Sequence, residues 1–420
     1  MSGLLVVAVE ASADLHGAAV LRELRASGVQ CFGAAGPLMR AEGCEALVRA
    51  EDLSVMGIAE VIPALPRIFR ALSTLRRAAE ERRPRVALLI DSPDFNLRLA
   101  RKLRALDIKV VYFIGPSVWA WRTYRVKQIA RDVARMLVIL PFERAFYEQH
   151  GVATTYVGNP LADTRGVSGT PYETPDAARN LGTPYGSPGA AHVGVAAQSG
   201  SAPDAAAALP EDARADRRRA LGLDPARPVL ALLPGSRRQE IRRLWQPLLG
   251  AARLLLAQRP GLQLVVPVAP TIDRASLDPA GVPVTFIEGR APEVLAAADA
   301  AIVASGTATL EGALAQVPLV VVYRMSWLTW LIGRLLVRVP YVSLVNLLAG
   351  RRLVPELLQS ACTSDGIAAE ASRLLDTGAA RTSQLTGLRQ IRDELAPAGA
   401  PNAARRAAAE VLAVLSEAGA

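Results

Sequence analysis

Ala304-Ser-Gly-Thr-Ala-Thr-Leu-Glu311 follows the apolar run Ala300–Val303 and precedes a helix-forming stretch, so it reads as a strand running into a helix N-terminus. Such a junction offers unpaired backbone N–H groups and the positive end of a helix dipole, both favourable to a phosphate. Ser305, Gly306 and Thr307 are therefore candidate phosphate-binding residues. Ser and Thr also cap helices that bind nothing. If Thr307 is the cap, a capping-box carboxylate belongs at position 310, where Leu stands. Glu311 is then unexplained by helix chemistry, and one turn into the helix it can reach a nucleotide ribose.

Leu232-Leu-Pro-Gly-Ser-Arg237, followed by Arg238 and Glu240, repeats the layout of strand, tight turn and helix. Gly235 would let the backbone approach a phosphate closely, with Ser236 beside it, and Arg237 can add a bidentate guanidinium contact. A plain turn with surface arginines accounts for the same residues. Asp91-Ser-Pro-Asp-Phe-Asn96 follows the apolar run Val86–Ile90, with Ser92 placed to cap a helix and Pro93 at its first position. Asp94 then complements the helix dipole, while Asp91, at the strand's carboxyl end, could take a proton from an acceptor hydroxyl. Pro116-Ser-Val-Trp-Ala-Trp-Arg122 sets two of the five Trp residues beside an arginine. Trp119 and Arg122 suit a sugar or acyl surface, and core packing of the rings is the other reading. His16 and His150 have no metal-ligand spacing, and no Asp-x-Asp pair occurs to hold a metal against a sugar diphosphate. Positive side chains and helix ends are expected to stabilise a leaving group instead, so no metal or other cofactor is expected.

The elements that must position these residues alternate. Leu4–Val9, Val86–Ile90, Lys109–Phe113 and Met136–Leu140 are short apolar runs separated by helical patterns, one of them near 15–27. After a stretch at 166–214 rich in Gly, Pro, Ala and Ser, the alternation restarts at Val229–Leu233, Gln263–Val268, Val282–Ile287, Ala300–Val303 and Leu319–Val322. The expected fold is α/β, two doubly wound Rossmann-like domains facing a cleft, at 1–165 and 215–390, joined by a low-complexity insertion or linker. An amphipathic Ala-rich helix at about 402–417, within a terminal segment 391–420, is expected to pack on the first domain or a partner chain, which leaves a homodimer open. On a helix through 64–79, Leu65, Ile68, Phe69, Leu72 and Leu75 share one face while Arg67, Arg70 and Arg77 lie opposite. That face either packs on the sheet or rests on anionic lipid.

The chain has 420 residues, enough for two cores, and a net charge of +9 carried almost entirely by arginine. This suits phosphate-bearing ligands or an anionic membrane surface. The arginines are spread along the whole chain without a basic-aromatic run, which argues against nucleic acid. Cys31, Cys44 and Cys362 form neither a paired spacing nor a metal motif, consistent with a reducing cytoplasm. The short run Leu4–Val9 lacks the flanks of a secretory signal, and Arg324, Arg334 and Arg338 interrupt the most apolar region, so membrane contact is expected to be peripheral.

Taken together, these motifs closely resemble the lipid-A-disaccharide synthases, bacterial glycosyltransferases of the two-domain GT-B kind. The resemblance covers nearly the whole chain. It includes Glu10-Ala-Ser-Ala-Asp-Leu-His-Gly17, Ala35-Gly-Pro37, Met56-Gly-Ile58, Gly158-Asn-Pro-Leu-Ala-Asp163 and Tyr341-Val-Ser-Leu-Val-Asn-Leu-Leu-Ala-Gly350 beside the motifs above. It implies transfer of 2,3-diacylglucosamine from its UDP derivative to the 6-hydroxyl of 2,3-diacylglucosamine 1-phosphate, with inversion, giving a β-1,6 disaccharide and UDP. Matched position by position, Asp91 is the proposed general base, Arg237 serves the UDP phosphates, Glu311 the ribose, and Asn346 is a polar active-site residue. Ser12, Asp14, Trp119 and Arg122 are expected to line the acceptor side, and Leu65, Ile68, Phe69 and Leu72 to face the cytoplasmic side of the inner membrane. Ala13, Asn159 and Val345 depart from the family's usual Gly, His and Pro, and Ala13 would not suit a backbone with positive φ. Another UDP-sugar enzyme on the same architecture, such as an epimerase, and a nucleotide-binding module without catalysis are the competing readings.

Overall fold

The computed structural model describes residues 3–53, 58–121, 123–163, 211–327, 330–331, 333, 339–397 and 399–419. The chain forms two compact units, Met1–Pro203 with Gly399–Ala420 and Asp204–Ala398. Arg122, Met56 and Gly57 lie outside the described residues, as does the Gly/Pro/Ala/Ser stretch up to 210. The helix Glu211–Ala220 begins inside the segment read as a linker.

In the first unit β1 (Leu4–Val7), β2 (Cys31–Ala35), β3 (Glu45–Arg49), β4 (Val86–Ile90), β5 (Lys109–Phe113), β6 (Arg135–Val138) and β7 (Thr154–Tyr156) build one parallel sheet, ordered β3-β2-β1-β4-β5-β6-β7. The two-residue period of a strand decides what each face packs against. Leu5, Val7 and Val9 join one core with Ala71, Leu72 and Leu75 of the helix Ile58–Arg82 and Leu99 and Leu103 of the helix Pro93–Arg104. Leu4, Val6 and Ala8 join another with Val20, Leu21 and Leu24 of the helix Ala11–Leu24 and Ala407, Val411 and Val414 of the helix Ala403–Glu417. Because both faces are covered, the central strands are apolar at every position.

The last helix is tied to the first unit at its ends as well as along its face. The Ala403 N–H donates to Asp163 Oδ2 at 2.8 Å, and Arg135 meets Glu410 at 2.5 Å and Glu417 at 3.2 Å.

In the second unit β8 (Val229–Leu233), β9 (Gln263–Val268), β10 (Val284–Glu288), β11 (Ala300–Ala304), β12 (Leu319–Tyr323) and β13 (Glu356–Leu358) form a parallel sheet ordered β10-β9-β8-β11-β12-β13. Leu230, Leu232, Ile302 and Val320 pack against Leu244, Leu248 and Leu255 of the helix Arg238–Gln258 and Ile367 and Ala371 of the helix Ser364–Leu375. Both units are thus α/β and Rossmann-like, and both reverse strand order at one point: between β1 and β4, and between β8 and β11.

The face of the helix Ile58–Arg82 that was expected to meet a membrane is divided. Leu72 and Leu75 are buried in the core, which removes Leu72 from any lipid-facing set, and Ile68 packs at the core's edge. Leu65 is half-buried, and only Phe69, at 57% exposure, points outward. Packing takes the C-terminal half of the stripe because that half lies over the sheet.

Candidate active site

Ligands of doubly wound sheets bind beyond the carboxyl ends of the strands, at the point where strand order reverses. In the first unit that point is flanked by Glu10, just past β1, and Asp91, the residue after β4. Asp91 and Ser92 are both left-handed, with φ of 51° and 45°, a conformation that costs non-glycine residues about 1–3 kcal/mol each. Neighbours hold them there. The Asp91 N–H donates to the Phe113 carbonyl at 3.0 Å, and the Asp91 carbonyl accepts from Tyr112 Oη at 2.5 Å and Asn96 Nδ2 at 2.8 Å. Ser92 Oγ donates to Glu10 Oε1 at 3.1 Å. The turn therefore fixes the backbone of Asp91 and leaves its side chain at the strand end. Burial, and to a lesser extent the Glu10 charge, push the Asp91 carboxyl above its usual 3.8, against a lowering by the Ser92 N–H.

Ser12 is exposed in the first turn of the helix Ala11–Leu24, near the same strand end. Asp14 does different work from the expected one. It is buried, and its carboxylate accepts the N–H groups of Gly36 at 2.9 Å, Leu38 at 2.9 Å and Met39 at 3.1 Å, so it caps the helix Pro37–Ala41 rather than lining a site. Ala13 is a helical residue without positive φ, so its side chain is unstrained. His16 stands edge-on to Phe113, and burial lowers its pKa to about 4, which keeps the ring neutral. Trp119 is half-buried, edge-on to Phe142, with Nε1 donating to Glu143 at 3.0 Å. Glu143 itself is buried, accepts the Leu140 N–H at 3.1 Å, and is raised by burial to about 7. Asp94 pairs with Arg125 at 2.8 Å on the surface. Asn159 is buried and accepts the Leu161 N–H at 3.0 Å, a capping role.

In the second unit the reversal point is flanked by Pro234–Arg237, after β8, and Ser305–Thr307, after β11. Gly235 has φ of 110°, and a Cβ there would collide with Glu240 Oε2. That carboxylate already accepts the N–H groups of Ser236 at 3.0 Å and Arg237 at 3.2 Å, so the backbone donors expected for a phosphate are taken by the helix's own third residue. Glu240 also holds Arg237 Nη1 at 3.0 Å, and Arg237 is 80% exposed. What this loop offers an anion is therefore the guanidinium. The 305–307 loop is the better cradle. Gly306, not Thr307, is the cap, and no side chain caps the helix Thr307–Leu314; the Thr309 N–H turns back to the Gly306 carbonyl at 3.1 Å, so the N–H groups of Thr307 and Ala308 are the ones an anion could meet. Ser305 is committed: its N–H donates to the Val322 carbonyl at 3.0 Å and its Oγ to the Val342 carbonyl at 3.2 Å. Glu311 is partly buried one turn in, and burial raises its pKa.

Asn346 is fully buried and fully bonded. Its Oδ1 accepts Leu353 N–H at 2.7 Å and Val354 N–H at 2.9 Å, while Nδ2 donates to the Val354 carbonyl at 3.0 Å and to Glu356 Oε1 at 2.8 Å. Glu356 also accepts the N–H groups of Val342 at 3.1 Å and Ser343 at 2.9 Å. Asn346 thus braces the loop that receives the Ser305 hydroxyl, and does not face a ligand. Val345, buried in the helix Leu344–Ala349, is accommodated without a proline. Among the described residues no three His, Cys, Asp or Glu side chains gather as metal ligands.

A family model described as lipid-A-disaccharide synthetase matches residues 4–175 and 205–411. The lipid-A-disaccharide synthase of Anaeromyxobacter dehalogenans is 47% identical over 419 residues, covering 98% of this chain and 97% of its own. Among solved structures, the UDP-GlcNAc 2-epimerase of Neisseria meningitidis bound to UDP-GlcNAc superposes with a TM-score of 0.59 at 11% identity, covering 99% of this chain and 100% of its own. The glycotransferase of kitacinnamycin does so at 0.55 and 18% identity, covering 98% of each. These structural likenesses bear on the fold, and agree with two Rossmann-like units of the GT-B type. The sequence matches run the length of the chain, and the protein belongs to the lipid-A-disaccharide synthetase family, enzymes of lipid A biosynthesis.

Proposed function

We propose that this protein joins UDP-2,3-diacylglucosamine and 2,3-diacylglucosamine 1-phosphate into the β-1,6 disaccharide 1-phosphate by a single inverting displacement that releases UDP. Asp91 carries the reading: a carboxylate at the C-terminal end of β4, at the strand-order reversal, on a backbone that its neighbours hold in a costly conformation. It takes the proton of the acceptor 6-hydroxyl as that oxygen attacks the anomeric carbon. The open N–H groups at the start of the helix Thr307–Leu314 and the exposed guanidinium of Arg237 meet the charge developing on UDP, and Glu311 accepts from the ribose. No metal is assigned a part. A nucleotide-sugar substrate is also in keeping with the UDP-GlcNAc held by the epimerase of like fold. Acylated substrates place the work at an anionic membrane surface, the cytoplasmic face of the inner membrane, where the protein is peripheral. No helix among the described residues is long and apolar enough to cross a membrane.

The test is Asp91→Asn, since Asn tolerates the left-handed backbone. Turnover should fall about a hundredfold or more while UDP affinity stays within a few-fold of the parent. Near-parental turnover would remove Asp91 from the role of base.

A further inference from the structure

Glu143, the third residue of the helix Pro141–Glu148, is 2% exposed, and its local task does not explain that burial. Its Oε2 accepts the Leu140 N–H at 3.1 Å, the ordinary bond of a glutamate at that position, which forms equally well in solvent. Its Oε1 accepts from Trp119 Nε1 at 3.0 Å, a bond outside helix capping. One turn on, Tyr147 reaches the same segment, its Oη donating to the Pro116 carbonyl at 2.7 Å. Phe142 stands edge-on to the indole, with ring centroids 4.9 Å apart. The helix thus holds the Pro116–Trp119 segment at both ends. That segment continues β5 past its carboxyl end, beside the Asp91 turn, because the Phe113 carbonyl accepts the Asp91 N–H at 3.0 Å. The exit from β5 is strained. Ile114 has φ of 63°, a left-handed conformation that β-branched residues rarely adopt, and such outliers gather at ligand sites.

We infer that Glu143 is a positioning residue: through its bond to Trp119 Nε1 it fixes the indole as a platform for the acceptor sugar. The identity of that sugar rests on the reaction proposed above. Trp119 is half-buried, so part of its ring is left for a ligand, and an aromatic face suits a sugar ring. Glu143 is sealed away and acts through the indole, whose orientation it selects by accepting the single N–H. Both carboxyl oxygens accept, an arrangement suited to the ionised form. Burial pushes Glu143 up to about 7, against the bonds from Trp119, Leu140 and Ile139. Of the titratable groups on the same helix, Tyr147 stays protonated, raised by burial and by the Glu143 charge, and Arg144 pairs outward with Glu148 at 2.8 Å. Protonation of Glu143 puts a hydrogen on one accepting oxygen, so the hold on the indole weakens as pH falls.

The experiment follows the indole N–H resonances of the five tryptophans in the isotope-labelled full chain, with Trp119→Phe identifying that of Trp119. In the parent this resonance should titrate at about pH 7 and shift when 2,3-diacylglucosamine 1-phosphate is added in detergent. In Glu143→Gln, which copies the shape and charge of the protonated carboxyl, it should no longer titrate. Glu143→Gln should also raise KM for the acceptor about tenfold, with kcat within about threefold of the parent. In the Trp119→Phe background the same change should add less than about twofold, since it acts through the indole. Parental behaviour of the resonance in Glu143→Gln overturns the inference, as does a resonance indifferent to the acceptor. Additive effects of the two substitutions on KM also overturn it. A chain without turnover whose Trp119 resonance still responds to the acceptor, and depends on Glu143, would contradict the proposed reaction and leave Glu143 positioning the indole of an acceptor-binding site.

Discussion

Asp91 and Ser92 spend stability on position, and two consequences follow at the level of single residues. Asp91→Gly removes the left-handed strain, so it should raise the unfolding free energy by about 1 kcal/mol while abolishing turnover; equal or lower stability in denaturant melts would show the strain is absent. The second concerns pH. A carboxyl whose folded pKa is raised contributes stability that is full below its ordinary 3.8 and is lost as pH rises through the folded value. If Asp91 is the base, as proposed, the same shift places the acid limb of the rate profile above 3.8. Since Glu10 is one cause of the shift, Glu10→Gln should move that limb to lower pH and keep an acceptor for Ser92 Oγ. An unmoved limb would mean that another group sets it. Asp91 was legible because an apolar run ended on it. Glu240 carried a readable signal as the third residue after Arg237, but the consequence, that it occupies the turn's N–H groups, needed the folded loop.

At the scale of elements, the 305–307 loop, proposed to cradle a phosphate, depends on a brace that the sequence did not reveal. Ser305 bonds the 341–343 loop, Glu356 holds that loop by its N–H groups, and Asn346 ties Glu356 to the backbone of 353–354. Asn346→Ala would leave two buried N–H groups without their acceptor, a loss on the order of 3 kcal/mol. A thermal melt should show it. Lost activity at unchanged melting temperature would instead support direct contact of Asn346 with a ligand. Motif resemblance singles out such an asparagine without telling whether its amide faces substrate or backbone. The long apolar strands, such as Val86–Ile90, Val229–Leu233 and Gln263–Val268, were legible to the residue because both faces are buried. Cys31–Ala35, Glu45–Arg49, Thr154–Tyr156 and Glu356–Leu358 were missed, being short, small-sided or at sheet edges, where the apolar pattern fades.

For the whole molecule, the chain returns at its end to complete the unit with which it began. Val411 and Val414 fill a core with Val6 and Leu21, so removing residues 399–420 should leave the first unit unfolded or aggregated by circular dichroism and light scattering, while a well-folded truncated chain would contradict that dependence. Amphipathicity announced a packing helix but not its partner, because any apolar face accepts any apolar stripe. The reaction itself is tested most directly by incubating the protein with UDP-2,3-diacylglucosamine and 2,3-diacylglucosamine 1-phosphate in detergent, with chelator present, and detecting products by mass spectrometry. A disaccharide 1-phosphate formed with stoichiometric UDP is the expected result. No disaccharide from folded, UDP-binding protein, with or without added magnesium, would contradict the proposed function, and product only after magnesium would contradict the metal-free mechanism.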